Sequence, residues 1–258
     1  TANIPAGTAR IHTMANATNS NTVISGSNQA INFSTAAEWI GRHENNLMTS
    51  FENRNNNRQD DKMVYWGYVK KNTPEEMTNF LTKKVVENNV IHLLRNRAKI
   101  EVNWDDNTSE IENIRYALGN VMQHGTVAPF NRKKLTFPET NMLTDAAAWK
   151  AECTITPSLD PTRWPSEGEK FSVENEEMWP NTKNLPMQYT FEQENSLEKP
   201  LKVIMEVTYK DGVTKWFQVL LQNEGVQIPV KRNHLYRINI KRLGKNLGYS
   251  SAELAYNG

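Results

Sequence analysis

The feature that most constrains this chain is the two-residue period of its final third. Leu201, Val203, Met205, Val207 and Tyr209 alternate with Lys202, Ile204, Glu206, Thr208 and Lys210. Successive side chains of a strand point to opposite faces, so this spacing predicts a β-strand with one apolar face. Asp211-Gly212 follows, and Val213, Lys215, Phe217, Val219 and Leu221 return as a second strand. Asp-Gly between two such runs predicts a hairpin with a type I′ turn, whose two central residues need positive φ. After Asn223-Glu224-Gly225, residues 226–230 extend the pattern. His234, Tyr236, Ile238 and Ile240 then alternate with Leu235, Arg237, Asn239 and Lys241. The whole run reads as a β-meander with an inward apolar face. Pro229 cannot donate to a ladder and belongs at a strand end or an edge.

The rest of the chain reads less regularly. Residues 9–15 form a short strand ending in a turn-rich stretch at 16–21. Thr35-Ala36-Ala37-Glu38 matches a capping box. Behind it Trp39, Ile40, His43, Leu47, Met48 and Phe51 recur at helical spacing, which predicts a helix at about 35–51. Residues 63–69 could be a strand, and Pro74-Glu75-Glu76 opens an ambiguous stretch. From 85 to 102 the alternation predicts one long strand or two. Seven of the 11 prolines fall in 128–199, which predicts long loops between short strands. Apolar density drops at 125–140, so a domain boundary near residue 130 is expected, giving domains 1–130 and 131–258. Ala252-Glu253-Leu254-Ala255-Tyr256 looks like the beginning of another strand. No βαβ alternation or internal repeat is visible, and the expected class is all-β with one or two short helices.

Composition narrows the function. The 258 residues carry 30 Lys+Arg and 29 Asp+Glu, for a net charge of +1. That balance disfavours a dedicated nucleic-acid binder, which needs a basic surplus. Mean hydropathy is −0.69, and no apolar run approaches the ~20 residues of a membrane-spanning helix. The single cysteine, Cys153, cannot make an intramolecular disulfide. Asparagine accounts for 32 residues, a count that fits a polar, turn-rich surface.

Motifs for catalysis are missing. The sequence holds no G-x-S-x-G, H-E-x-x-H, G-x-G-x-x-G or Walker A pattern. The five histidines (His12, His43, His92, His124 and His234) have no His or Cys partner at metal-ligand spacing, so neither a metal site nor a cofactor is expected. A lone strand histidine such as His92 or His234 reads as structural. Asp105 to Glu110 offers closely spaced oxygens but lacks the calcium-loop frame and reads as a turn. Trp149, Trp164 and Trp179 lie in the loop-rich middle, where indoles can stack on sugar rings or plug a small core. Asn16, Asn32 and Asn107 occupy N-x-[ST] sequons, which matter only on a eukaryotic secretory route.

Three stretches resemble one family. Ile4-Pro5-Ala6-Gly7-Thr8-Ala9-Arg10-Ile11-His12-Thr13-Met14-Ala15-Asn16 is similar to the early strand of Bacteroidales fimbrillins, the type V pilins. Leu94-Arg95-Asn96-Arg97-Ala98-Lys99-Ile100-Glu101-Val102 resembles their Arg-x-x-Ala-Lys-Ile strand. Val230-Lys231-Arg232-Asn233-His234-Leu235-Tyr236-Arg237-Ile238-Asn239-Ile240 resembles their Arg-Asn-His-x-Tyr-x-Ile-x-Ile strand and is the most specific of the three. The resemblance implies two transthyretin-like β-sandwich domains divided near residue 130. It also implies an outer-membrane lipoprotein precursor that matures by proteolytic removal of its first strand. Its partners would be other pilin subunits, joined head to tail by donor-strand exchange into a cell-surface fimbria that supports adhesion to host or bacterial glycans or proteins. No enzymatic activity is implied. Residue 1 is Thr, the family's lipid-modified cysteine and first strand have no counterpart here, and its closing strands would lie beyond or just at Ala252–Tyr256, so the chain resembles a member lacking both exchanged ends. The alternatives are a surface glycan-binding module or tip adhesin using Trp149, Trp164 or Trp179, and a β-sandwich glycoside hydrolase, which would need two carboxylates about 5–10 Å apart across a cleft.

Overall fold

The computed structural model describes residues 7–16, 22–23, 51–53, 63–82, 90–104, 110–121, 124–129, 137 and 188–258. Over these residues the chain is all-β with two short helices and one 3₁₀ turn. It divides into two compact units. The first comprises Thr1–Asn55, Gln59–Asn96 and His124–Pro165; the second comprises Asn56–Arg58, Arg97–Gln123 and Ser166–Gly258. Strands from both sides of residue 130 share sheets in the second unit, so the units do not follow a single cut there.

In the first unit, β1 (Arg10–Ala15) pairs antiparallel with β4 (Tyr65–Lys70), which also pairs with β5 (Leu94–Arg95). A second small sheet joins β2 (Thr22–Val23), β3 (Phe51–Asn53) and β8 (His124–Thr126). The expected helix at 35–51 lies outside the described residues except for Phe51, which opens β3. The ambiguous stretch after Pro74 is a helix, α1 (Pro74–Thr82). Its start follows from local chemistry. The Thr73 hydroxyl accepts from the Glu76 amide at 3.1 Å, and the Glu76 carboxylate accepts from the Asn72 amide at 3.0 Å. Proline suits the first helical position because its missing N–H would be orphaned there anyway. Met77 and Phe80 then bury against Val69 of β4. On the same unit Trp66, Tyr68, His12 and Phe137 form an aromatic cluster, with the Trp66 indole donating to His12 Nδ1 at 3.1 Å.

The second unit is a β-sandwich. One sheet runs β11-β10-β7, from β7 (Ile111–Gly119), β10 (Lys202–Tyr209) and β11 (Thr214–Leu220). The other runs β14-β6-β9, from β6 (Ala98–Trp104), β9 (Gln188–Thr190) and β14 (Leu235–Ile240). Their inner faces share one core of Ile100, Val102, Ile114, Tyr116, Val203, Met205, Val207 and Ile240, among others. The Tyr116 hydroxyl crosses this core to donate to the Ile100 carbonyl at 3.2 Å, and burial pushes its pKa above the usual phenol range.

The alternating final third folds differently from a meander. β10 and β11 do form the expected hairpin, from Lys202↔Leu220 to Thr208↔Thr214. Its turn is not type I′. Only Gly212 has positive φ (82°), and the Gly212 amide donates to the Tyr209 carbonyl while the Tyr209 amide donates to the Val213 carbonyl. That is a three-residue loop closed by a left-handed glycine. The two-residue loop with positive φ at both positions is Glu224-Gly225 (50° and 80°), between β12 (Gln222–Asn223) and β13 (Val226–Gln227). The chain then leaves this sheet, and β14 runs parallel to β6 in the opposite one. Alternation fixes which face is apolar but not which neighbour a strand takes.

The C-terminal segment is also a correction. Residues 252–257 form a helix, α2 (Ala252–Asn257), instead of starting a strand. Ser251 caps it by accepting from the Leu254 amide, and Ala, Glu and Leu are strong helix formers. Ala252 and Ala255 lie one turn apart and bury against Ala117 and Ile204 on the outer face of the β11-β10-β7 sheet. β10 is therefore covered on both faces. Left-handed backbone recurs at Asn16, Asn120, Asn195 and Asn233, which is where part of the asparagine surplus goes.

Candidate functional site

The second and third of the family-like stretches come together in the second unit. β14 lies beside β6 in parallel, from Leu235↔Lys99 to Ile240↔Trp104. The approach to β14 is built residue by residue. Arg232 is 2% exposed, and its guanidinium meets the Glu192 carboxylate at 2.7 Å while its amide donates to the other carboxylate oxygen at 3.1 Å. Asn233 adopts φ 58° and donates its amide to the Arg97 carbonyl at 2.9 Å. His234 Nδ1 lies 2.8 Å from the Arg232 carbonyl. A carbonyl can only accept, so this ring nitrogen carries the proton. The His234 carbonyl accepts from the Lys99 amide, the first rung of the parallel ladder. The Tyr236 hydroxyl donates to the Pro229 carbonyl at 2.7 Å and accepts from the Lys231 amide at 2.9 Å. Burial pushes that phenol up to about 12. Arg97, also 2% exposed, places its guanidinium 4.9 Å from the centre of the Phe191 ring.

This arrangement holds a strand whose other side is open. Because the Lys99 amide reaches His234, the backbone groups of Tyr236, Ile238 and Ile240 point to β6 and those of Leu235, Arg237 and Asn239 point away from it. Among the described residues no strand pairs with that outer side. Tyr236 and Ile238 are only partly buried against the core, and Leu235 is 43% exposed. On the solvent face, Arg237 donates to Glu101 at 2.7 Å and Asn103 donates to Asn239 at 3.1 Å. Among the described residues β14 thus combines partly exposed apolar side chains with edge amides and carbonyls that no strand pairs, the two requirements for adding a strand.

The expected point sites give less. Trp149, Trp164, Trp179 and Cys153 lie outside the described residues, as do His43 and residues 105–109. Among the described residues no group of three or more His, Cys, Asp or Glu could hold a metal ion, and no helix is long and apolar enough to cross a membrane. His234 positions backbone, as described, while His92 is exposed. The buried Arg232–Glu192 pair was not legible in the sequence, where Glu192 sits in a featureless acidic stretch 40 residues upstream.

No known family model matches this chain, and neither does any curated protein. Among solved structures, the tip fimbrial protein Mfa3 from Porphyromonas gingivalis with C-terminal truncation is similar to 78% of this chain over 68% of its own length. The identity is 15% and the TM-score 0.36. A likeness of that size carries neither a residue-by-residue correspondence nor a function.

Proposed function

We propose that this chain is a non-enzymatic subunit of a cell-surface fimbria. It would assemble head to tail with other pilin subunits by donor-strand exchange, support adhesion, and derive from an outer-membrane lipoprotein precursor. On this reading each unit is a sandwich of transthyretin-like type. The observation that carries it is the pairing of β6 with β14: two of the three family-like stretches lie side by side, and the motif's Arg232, Asn233, His234 and Tyr236 each make a bond that guides the chain into β14. Residues from one resemblance that interlock in this way form one physical device, as a shared fold would require.

The test is assembly of the whole gene product, expressed with its export signal in a bacterium that matures surface lipoproteins. Ladders of subunits that resist denaturing detergent, together with surface filaments that bind an antibody to this chain, are expected. Export to the surface with only monomers in detergent and no labelled filaments would overturn the reading.

A further inference from the structure

The outer edge of β14 has a pattern that reads nearly the same in both directions. About Ile238 the sequence is Tyr236-Arg237-Ile238-Asn239-Ile240, apolar at every position facing the core and polar at the two between. β14 contains no proline, and among the described residues β6 is the one strand that pairs with it. It thus lacks a device with which soluble proteins blunt an edge.

We propose that β14 is a self-association edge, on which a second copy of this chain adds its own β14 antiparallel across a two-fold axis at Ile238. A two-fold along the sheet normal keeps both core faces on the same side, so two three-stranded sheets become one of six. In that register Ile238 faces Ile238 of the second copy, Tyr236 faces Ile240, Arg237 faces Asn239, and Leu235 faces Lys241. Charge selects this register. Centring the axis on Arg237 sets two arginines directly opposite, and centring it on Asn239 sets Arg237 against Lys241. Like charges opposite one another across a strand pair are destabilising. Shifting by one residue would put apolar side chains against the solvent face. The outward amides and carbonyls of Arg237 and Asn239 would exchange hydrogen bonds with their counterparts. The partly exposed Tyr236 and Ile238 would gain apolar neighbours. Such a pair closes on itself, so it links subunits sideways and does not by itself make a filament. It stands independently of the head-to-tail reading.

The experiment uses the 258-residue chain. Sedimentation velocity over a concentration series up to about 1 mM should show a reversible monomer–dimer equilibrium. Asn239→Lys places a lysine opposite Arg237 twice per dimer and should weaken association roughly tenfold, with recovery at high salt. Asn239→Pro removes an outward amide and leaves the ladder to β6 intact, so it should abolish the dimer while thermal unfolding stays cooperative. With Cys153→Ser as background, Ile238→Cys should cross-link to itself on oxidation. Opposed residues at that kind of site stand about 4.5 Å apart, within disulfide reach. Arg237→Cys should cross-link to Asn239→Cys in a mixture and not to itself. A chain that stays monomeric throughout the series overturns the proposal. So does a dimer that Asn239→Lys leaves unchanged, or one in which Ile238→Cys does not cross-link, since a strand from elsewhere would then be the occupant.

Discussion

Two of the edge strands described in the second unit, β11 and β14, are treated by the chain in opposite ways. The β11 edge is met by the protein's own C-terminal segment. The Trp216 and Tyr249 backbones exchange two hydrogen bonds, at 3.1 and 2.8 Å, and α2 then crosses the outer face of the sheet. Gln218 donates to the Ala255 carbonyl at 2.8 Å, and Lys202 and Asn120 both bond to Tyr256. β14 receives no such cover among the described residues. It is fixed on one side by β6 and by a buried ion pair at its start, and no described strand pairs with its other side. One edge is thus closed by apolar packing and backbone pairing; the other is placed by charge and left available. An edge without a described partner, in a unit that covers another of its edges, is the arrangement expected of an interaction surface.

The sharpest way to break the comparison is to remove the charge that places β14. Arg232→Met should leave the Glu192 carboxylate buried without its guanidinium and cost about 3–5 kcal/mol, read as a drop in urea midpoint. The double variant Arg232→Met, Glu192→Leu should recover most of that loss, because two apolar groups of similar size carry no stranded charge. A single variant as stable as the parent would mean that the pair does not hold the strand.

The complementary change acts on β11. Deleting residues 249–258 uncovers Ile204 and Ala117 and strips the partner from the Trp216 backbone. From the apolar area exposed, stability should fall by about 2–4 kcal/mol. The β11 edge should then behave as β14 does, with faster concentration-dependent association in light scattering. Loss of stability without new association would separate the two roles assigned to the segment.

A smaller effect distinguishes backbone from side chain at the approach to β14. Asn233 sits at φ 58° and contributes its amide to Arg97. Asn233→Ala should cost about 1 kcal/mol, since a left-handed conformation disfavours a β-carbon, whereas Asn233→Gly should be close to neutral in thermal melts. An equal cost for both would point to the asparagine side chain instead of the backbone.

Much of the fold was readable because alternation is a local signal. β4, β10, β11 and β14 stand close to where the apolar period puts them, since each needs only one face against a core. What alternation cannot carry is partner choice. The run from 201 to 240 looks like neighbours in sequence order, yet β14 pairs across the sandwich with β6, more than 130 residues away. Short elements were harder for a different reason. Ala252–Asn257 buries Ala252 and Ala255 and partly buries Tyr256, at i, i+3 and i+4, but over six residues that pattern also reads as alternation. The signal that decides it is the Ser251 cap. The same holds for Thr73-Pro74-Glu75-Glu76, which carries the capping signature already recognised at Thr35–Glu38. The candidate edge itself was invisible, because openness is defined by what the rest of the chain does not cover.

The smallest effect tests how the cover over β11 is anchored. Between β14 and Tyr249 the chain passes through the 3₁₀ turn at Lys245–Leu247. Lys245 there is bonded to Asp211 in the β10–β11 loop. Both side chains are solvated, so the pair should add little in salt. Its signature is instead its pH dependence. The Lys245 hydrogen bond, with help from the Val213 amide, holds the Asp211 carboxyl below its ordinary value of 3.8. A depressed carboxylate contributes stability that is present above the unfolded value and lost as pH falls through the lower folded one. Asp211→Asn should therefore be slightly less stable than the parent at neutral pH and equal to it in strong acid, with the gap closing below 3.8. High salt should shrink the neutral-pH gap. If the difference persists unchanged in acid, the Asp211 contribution comes from the loop, through its bond to the Val213 amide, and β11 is covered by apolar packing and backbone pairing alone.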